Sequence, residues 1–166
     1  MAASSTAGFL GTRQDTWLVA LMVEDPRPGH AGKNPPEMVD WGIWDTKTGG
    51  DLDSEERLYY PGGMMPAYSL GGRILPQQIT LTRNYRIHRD HFRAQSLLDC
   101  VGKSSIQISM FPMDKYGNEH TPAIVWRGTL KTVVLPEHNS ESSSDPAMIS
   151  ITCTIDSAPT AVGANK

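Results

Sequence analysis

The chain has 166 residues, of which 39% are apolar and 20% charged, and a formal net charge of −3. That length suits one domain, 1–166, able to bury about two-thirds of its unfolded surface without the help of a disulfide or metal. The composition excludes a disordered chain, and the small negative charge excludes a general attraction to nucleic acid or anionic membrane.

Residues 1–14 are small, polar and patternless and read as an N-terminal arm, ahead of a folded core over 15–156. They show no basic segment leading into an apolar run, so no secretory signal is expected. The first element is "TWLVALMV", residues 16–23, a continuous apolar run too short for a helix or a membrane span and therefore a buried strand. The connector "EDPRPGHAGKNPPE" holds four of the twelve prolines and is loop. In "VDWGIWD" (39–45), Val39, Trp41 and Ile43 alternate with Asp40, Gly42 and Trp44, the period of a strand with one apolar face.

A long acidic loop, "TKTGGDLDSEERLYYPGGM" (46–64), follows. It runs between the pairs Gly49-Gly50 and Gly62-Gly63, and carries Asp51, Asp53, Glu55 and Glu56 and then Tyr59-Tyr60. Within it "RLYY" reads as a short strand; "PGGMMPAYSLGG" and "GGRILPQQ" read as turns. "QQITLTRNY" (77–85) is a strand with Ile79 and Leu81 on one face and Thr80 and Thr82 on the other. The period then changes. In "RIHRDHFRAQSLLDCVG" (86–102), Ala94, Leu97, Leu98 and Val101 make one helical stripe, with Gly102 where a C-terminal cap belongs.

"SSIQISMF" carries Ile106, Ile108 and Met110 inward, and "DKYGNE" is a turn. "AIVWRGTLKTVVL" (123–135) is a long strand in which Gly128 suggests a bulge or bend. After a polar loop, "MISITCTI" (148–155) alternates Ile149, Ile151, Cys153 and Ile155 against Ser150, Thr152 and Thr154. Residues 157–166 read as a tail. About seven strands and one helix predict a mainly β fold, a barrel or sandwich carrying a helix.

No catalytic constellation emerges. His88 and His91 lie three apart with no spacing that supplies a third ligand from Cys100, Asp90 or elsewhere. Asp51, Asp53 and Glu55 alternate like the start of a calcium loop, but Glu56 and Gly62 stand where its glycine and bidentate glutamate belong. No cofactor, metal or enzymatic activity is expected. Cys100 and Cys153 form no CxxC pair and read as buried free thiols.

Charge is segregated along the chain. Residues 37–57 are rich in acids, whereas Arg83, Arg86, Arg89 and Arg93 cluster with His88 and His91. Either the two patches face each other within one subunit, or they lie apart and let copies associate head to tail.

The order of elements resembles the tail tube proteins of contractile-tailed bacteriophages and related injection systems. The resemblance spans roughly residues 15–156 and rests on "WLVALMV", "VDWGIWD", the loop "GGDLDSEERLYYPGGM", "LGGRILP" leading to "ITLTR" and the helix, and the closing strands from "ISMFPMDKYGNE" to "MISITCTI". The proline-rich connector is longer than the family's, and the glycine usual after the basic residue of "ITLTR" is missing. The resemblance implies a virion structural protein, made in a bacterial cytoplasm, whose subunits join strands into a ring-shaped inner β-barrel, the hexameric rings stacking into an inner tube. Genomic DNA would pass through the lumen during ejection. The sheath, the baseplate or tube initiator and the tape measure protein would be its partners.

On that resemblance the loop would contact the neighbouring ring through Gly49, Gly50, Asp51, Asp53, Glu55, Glu56, Tyr59, Tyr60, Gly62 and Gly63. Arg83, Arg86, Arg89 and Arg93 would form the receiving surface. The alternatives are a type VI secretion tube or baseplate component, which shares the fold, and a monomeric β-sandwich module binding carbohydrate through Trp17, Trp41, Trp44 and Trp126.

Overall fold

The computed structural model describes residues 17–25, 37–63, 68–113, 116, 118–119, 123–137 and 144–162. The arm expected at 1–14 and most of the proline-rich connector therefore lie outside the described residues. The strands are β1 (Trp17–Glu24), β2 (Met38–Trp44), β3 (Thr46–Gly49), β4 (Arg57–Tyr59), β5 (Tyr68–Leu70), β6 (Gln77–Asn84), β7 (Ser105–Pro112), β8 (Ala123–Val134), β9 (Met148–Ile155) and β10 (Thr160–Val162).

The main sheet runs β2-β1-β7-β8-β9-β6-β3, every neighbouring pair antiparallel. β2 and β3 are consecutive pieces of one strand bent at Asp45, and they occupy the two margins of the sheet. The sheet consequently closes on itself as a barrel whose staves are β2/β3, β1, β7, β8, β9 and β6. Closure pairs backbone groups that an open sheet would leave at its edges.

Inward side chains fill the interior: Val19, Leu21 and Val23 from β1, Ile79 and Leu81 from β6, Ile106 and Ile108 from β7, and Ile149, Ile151 and Cys153 from β9 are all buried. On the outer face, paired positions of β3, β6, β9 and β8 carry hydroxyls in cross-strand rows. One such row is Thr48, Thr80, Thr152 and Thr132, with the Thr80 and Thr152 oxygens 3.3 Å apart.

β2 departs from the simple alternation expected of it. Trp41 and Trp44 both point inward and Ile43 is exposed. The register against β1 slips between Ala20 and Met22, opposite Gly42, whose φ of 78° only glycine adopts readily. This bulge turns Trp44 into the core, so Trp41, Trp44 and Trp126 are all buried and offer no stacking platform.

The single helix expected over 86–102 is broken. Ile87–His91 forms a π-helical turn, and only Ala94–Asp99 (α1) is α-helical. Leu97 and Cys100 are buried at the end of the barrel, while Leu98 is partly exposed. Gly102, at φ 73°, ends the segment as expected.

The bulge in β8 falls between Leu130 and Thr132, not at Gly128. Gly128 answers a close approach instead, because a Cβ there would lie 1.9 Å from the Thr154 carbonyl oxygen of β9. Gly128→Ala must push β8 and β9 apart and is expected to cost about 1–3 kcal/mol. At roughly 2–4 °C per kcal/mol for a chain of this size, thermal unfolding measures it directly. An unchanged midpoint would refute the close approach.

Cys100 and Cys153 are free and buried. Burial pushes the Cys153 thiol up to about 12 and raises that of Cys100. The expected tail at 157–166 is partly structured, since β10 pairs with the start of β8 through Thr160–Val125 and Val162–Ala123.

Candidate assembly surfaces

The acidic segment is one half of a longer, folded arm. Residues 46–49 belong to the barrel as β3, and the chain leaves at Gly50, whose N–H is held by the Gln78 carbonyl at 3.1 Å and whose carbonyl accepts from Trp126 Nε1 at 3.3 Å. Outbound, the arm passes Asp51, Asp53, Glu55 and Glu56 into β4. Inbound it follows β5 and residues 71–76 back to β6.

The two halves pair from Tyr59–Tyr68 down to the Ser54–Ile74 bridge, supported by Glu55 N–H to Arg73 O (3.0 Å) and Leu75 N–H to Asp53 O (3.0 Å). This ladder extends roughly 20 Å at about 3.3 Å per residue. Residues 64–67 lie outside the described residues.

Nearly every described residue of the arm is exposed, including Leu52, Leu58, Tyr59, Tyr60, Tyr68, Leu70 and Ile74. Gly49, Gly50, Gly62 and Gly63 all have positive φ. At the root, Lys47 turns inward with its ammonium 4.4 Å from the Trp126 ring centroid, and burial lowers its pKa against the pull of Asp51.

The basic segment lies at the other end of the barrel. β6 begins at the arm and ends at Asn84, so about 23 Å of strand separates the two. Its four arginines divide in their roles. Arg83 is 2% exposed, lies inside the barrel and does not present its charge to the surface.

Its guanidinium stacks 4.4 Å over Trp44, donates to the Trp41 and Ile43 carbonyls at 2.6 and 3.4 Å, and forms a buried ion pair with Asp90. Arg93 stacks 4.3 Å over Trp41 and donates to the Asp40 carbonyl at 2.8 Å. Between them the two arginines occupy the carbonyls of Asp40, Trp41 and Ile43 in β2, which forms no strand ladder with β6. Arg89 is half-buried and paired with Asp90 at 2.9 Å, whereas Arg86 is exposed.

Burial acts to raise the Asp90 pKa, but hydrogen bonds from Arg89 and the Arg86 backbone, with the charges of Arg83 and Arg89, hold it below its ordinary value. Sequence reasoning missed the apolar part of this surface. Phe92 is 80% exposed and Ile87 68% exposed, beside the exposed His88 and His91. Among the described residues no three His, Cys, Asp or Glu side chains are grouped to hold a metal, and no helix is long and apolar enough to cross a membrane.

No protein-family model and no curated protein matches the sequence. Solved structures do match, over nearly the whole chain. A chain of the sheath–tube complex of PVC, an extracellular contractile injection system in its extended state, superposes with a TM-score of 0.62 at 18% identity, covering 98% of this chain and 99% of that one. The fold is that of contractile-injection tube proteins.

A chain of the tube-terminating cap of the anti-feeding prophage (AFP) also gives a TM-score of 0.62, at 16% identity over 96% and 97% of the two chains. One from the AFP baseplate gives 0.57 at 8% identity over 94% and 98%. The likeness in each case extends over at least 94% of this chain. At these identities the likeness carries the architecture and no residue roles.

Proposed function

We propose that this chain is a non-enzymatic structural subunit that stacks head to tail, as hexameric rings, into the inner tube of a contractile phage tail or a related injection system. One observation carries the reading. An arm bearing acids and exposed aromatics leaves one end of a closed barrel, and a surface bearing cations and exposed apolar side chains sits at the other, so one copy's arm complements the far end of the next. Heterologous contacts of this kind propagate into stacks instead of closing as dimers. The tube-protein fold supports the same reading.

The arm residues Asp51, Asp53, Glu55, Glu56, Tyr59 and Tyr60 make the inter-ring contact, and Arg86 and Arg89 are the cations of the receiving surface. Arg93 contributes by shaping the β2 margin. Arg83 acts through the core and not at the interface. A tube in a tail would lie within the sheath, start from a baseplate initiator, enclose a tape measure protein and conduct DNA, with the assembled virion as its location. A tube of an injection system would share the stacking contacts.

The match to a cap chain at the same TM-score of 0.62 favours a second reading, an end-piece forming a single ring. Negative-stain electron microscopy with light scattering on the concentrated protein, alone and seeded with preformed tube, separates them. Long hollow tubes of uniform width support the first reading, single rings the second, and a compact monomer under all conditions overturns both. Reversing Glu55 and Glu56 to lysine should raise the concentration needed for tubes several-fold and leave the unfolding midpoint unchanged, since both side chains are exposed. Equal tube yield would remove these acids from the interface.

A further inference from the structure

A single exposed hydrophobic side chain needs no explanation, but Phe92 has a counterpart at the opposite end of the barrel. Between the root of the arm and the link from β9 to β10 lies a cleft of about 120 Å³. Leu52, Ile74, Leu75 and Pro159 form its walls, and Trp126 and Ile155, each 5% exposed, form its floor. Asp51 and Asp156, both exposed, contribute acids to the same cleft.

The volume has the scale of a phenyl ring, since an apolar cavity of roughly 150 Å³ takes up benzene. Phe92 projects from the turn between the π-helical segment and α1, with Arg86, His88 and Arg89 nearby in the chain. The length of β6 keeps this Phe92 from the cleft of its own chain.

We infer that Phe92 of one copy is a knob that seats in the arm-root cleft of the copy stacked on it, with the neighbouring cations facing Asp51 and Asp156. The inference rests on the head-to-tail reading above and names the second contact of that interface, next to the arm. An aromatic anchor desolvated in a pocket carries a large share of an interface's free energy, and the surrounding charges set its orientation.

The test uses the full chain assembled into tubes, with p-benzoylphenylalanine at position 92 and a mixture of isotope-labelled and unlabelled subunits. Irradiation should join position 92 of one chain to residues 50–52, 74–77 or 155–159 of another. Tubes whose crosslinks go to any other surface, or to residues 1–16 of a neighbour, overturn the knob and leave the tube standing. Failure of the unsubstituted chain to form tubes even when seeded overturns the tube reading itself, and the knob with it.

In parallel, Phe92→Ala should raise the critical concentration for assembly roughly 30-fold. Phe92→Trp should restore part of the loss. The unfolding midpoint of Phe92→Ala should match the parent, because the side chain is exposed. An unchanged critical concentration for Phe92→Ala would overturn the inference.

Discussion

Asp90→Ala is expected to destabilise the chain by about 3–5 kcal/mol, the cost of leaving a buried charge without its partner. The stranded group is Arg83, which no other described acid reaches and whose guanidinium also holds the Trp41 and Ile43 carbonyls. Asp90 further accepts from the Arg86 backbone N–H at 2.9 Å and from Arg89, so its loss frees the entry of the π-helical turn as well. Combining the change with Arg83→Met should cost less than the sum of the two single variants, because the uncompensated charge goes with it. It should still cost about 1–3 kcal/mol, since the two β2 carbonyls lose their donor.

Denaturant unfolding of the two single variants and the double variant closes the cycle, and purely additive losses would refute the buried pair. The same pair sets an acid limit. Asp90 has a folded pKa below its ordinary value near 3.8. Its stabilisation is therefore complete above that value and is lost as pH falls through the lower, folded one. The parent should lose stability below about pH 4 more steeply than Asp90→Ala.

Excising the arm should abolish assembly and spare the barrel. β3 and β6 are adjacent antiparallel strands, with Gly50 N–H bonded to the Gln78 carbonyl, so residues 51–77 can be replaced by an Asn-Gly turn closing directly on that pair. Shortening the connection returns up to about 2 kcal/mol of loop-closure entropy. That offsets the loss of the few root contacts with Trp126 and Ile155. The expected result is an unfolding midpoint within a few degrees of the parent, and a monomer at every concentration, seeded or not. Tubes of normal width from the excised chain would show that the arm is not the stacking element.

Much of the barrel was legible because its strands obey local rules. In β9 the alternation of Ile149, Ile151, Cys153 and Ile155 marks an inward face from end to end, and the strand occupies the expected residues 148–155. Where a residue departed from its pattern, the cause was tertiary. Trp44 turns inward through a bulge at Gly42, and the glycine was the one visible sign of it. Of the stripe Ala94, Leu97, Leu98 and Val101, the first three were read correctly as helical, and Val101 falls just past the end of α1. Nothing local, however, foretold that the Asp90 carboxylate would hold Arg83 and the Arg86 N–H at the entry of a π-helical turn.

Arg83 itself could have been placed. It continues the inward series Ile79, Leu81 in β6, but was grouped with its charged neighbours instead. The arm's return half was read as turns because "YSLGGRILP" shows no alternation. A strand exposed on both faces has no core to impose one.

The barrel pairs most of its strands with one another, whereas the two-stranded arm stands free, with Leu58, Tyr59, Tyr68 and Leu70 exposed among its charges. A ribbon of that kind also invites indiscriminate sticking, edge to edge, while newly made subunits wait at high concentration. Asp51, Asp53, Glu55 and Glu56 precede β4 and Arg57 begins it, placed as gatekeepers against such aggregation. On the proposed head-to-tail reading, the acids would serve the subunit before it meets a partner as well, keeping the arm from sticking until it docks at a surface of opposite charge.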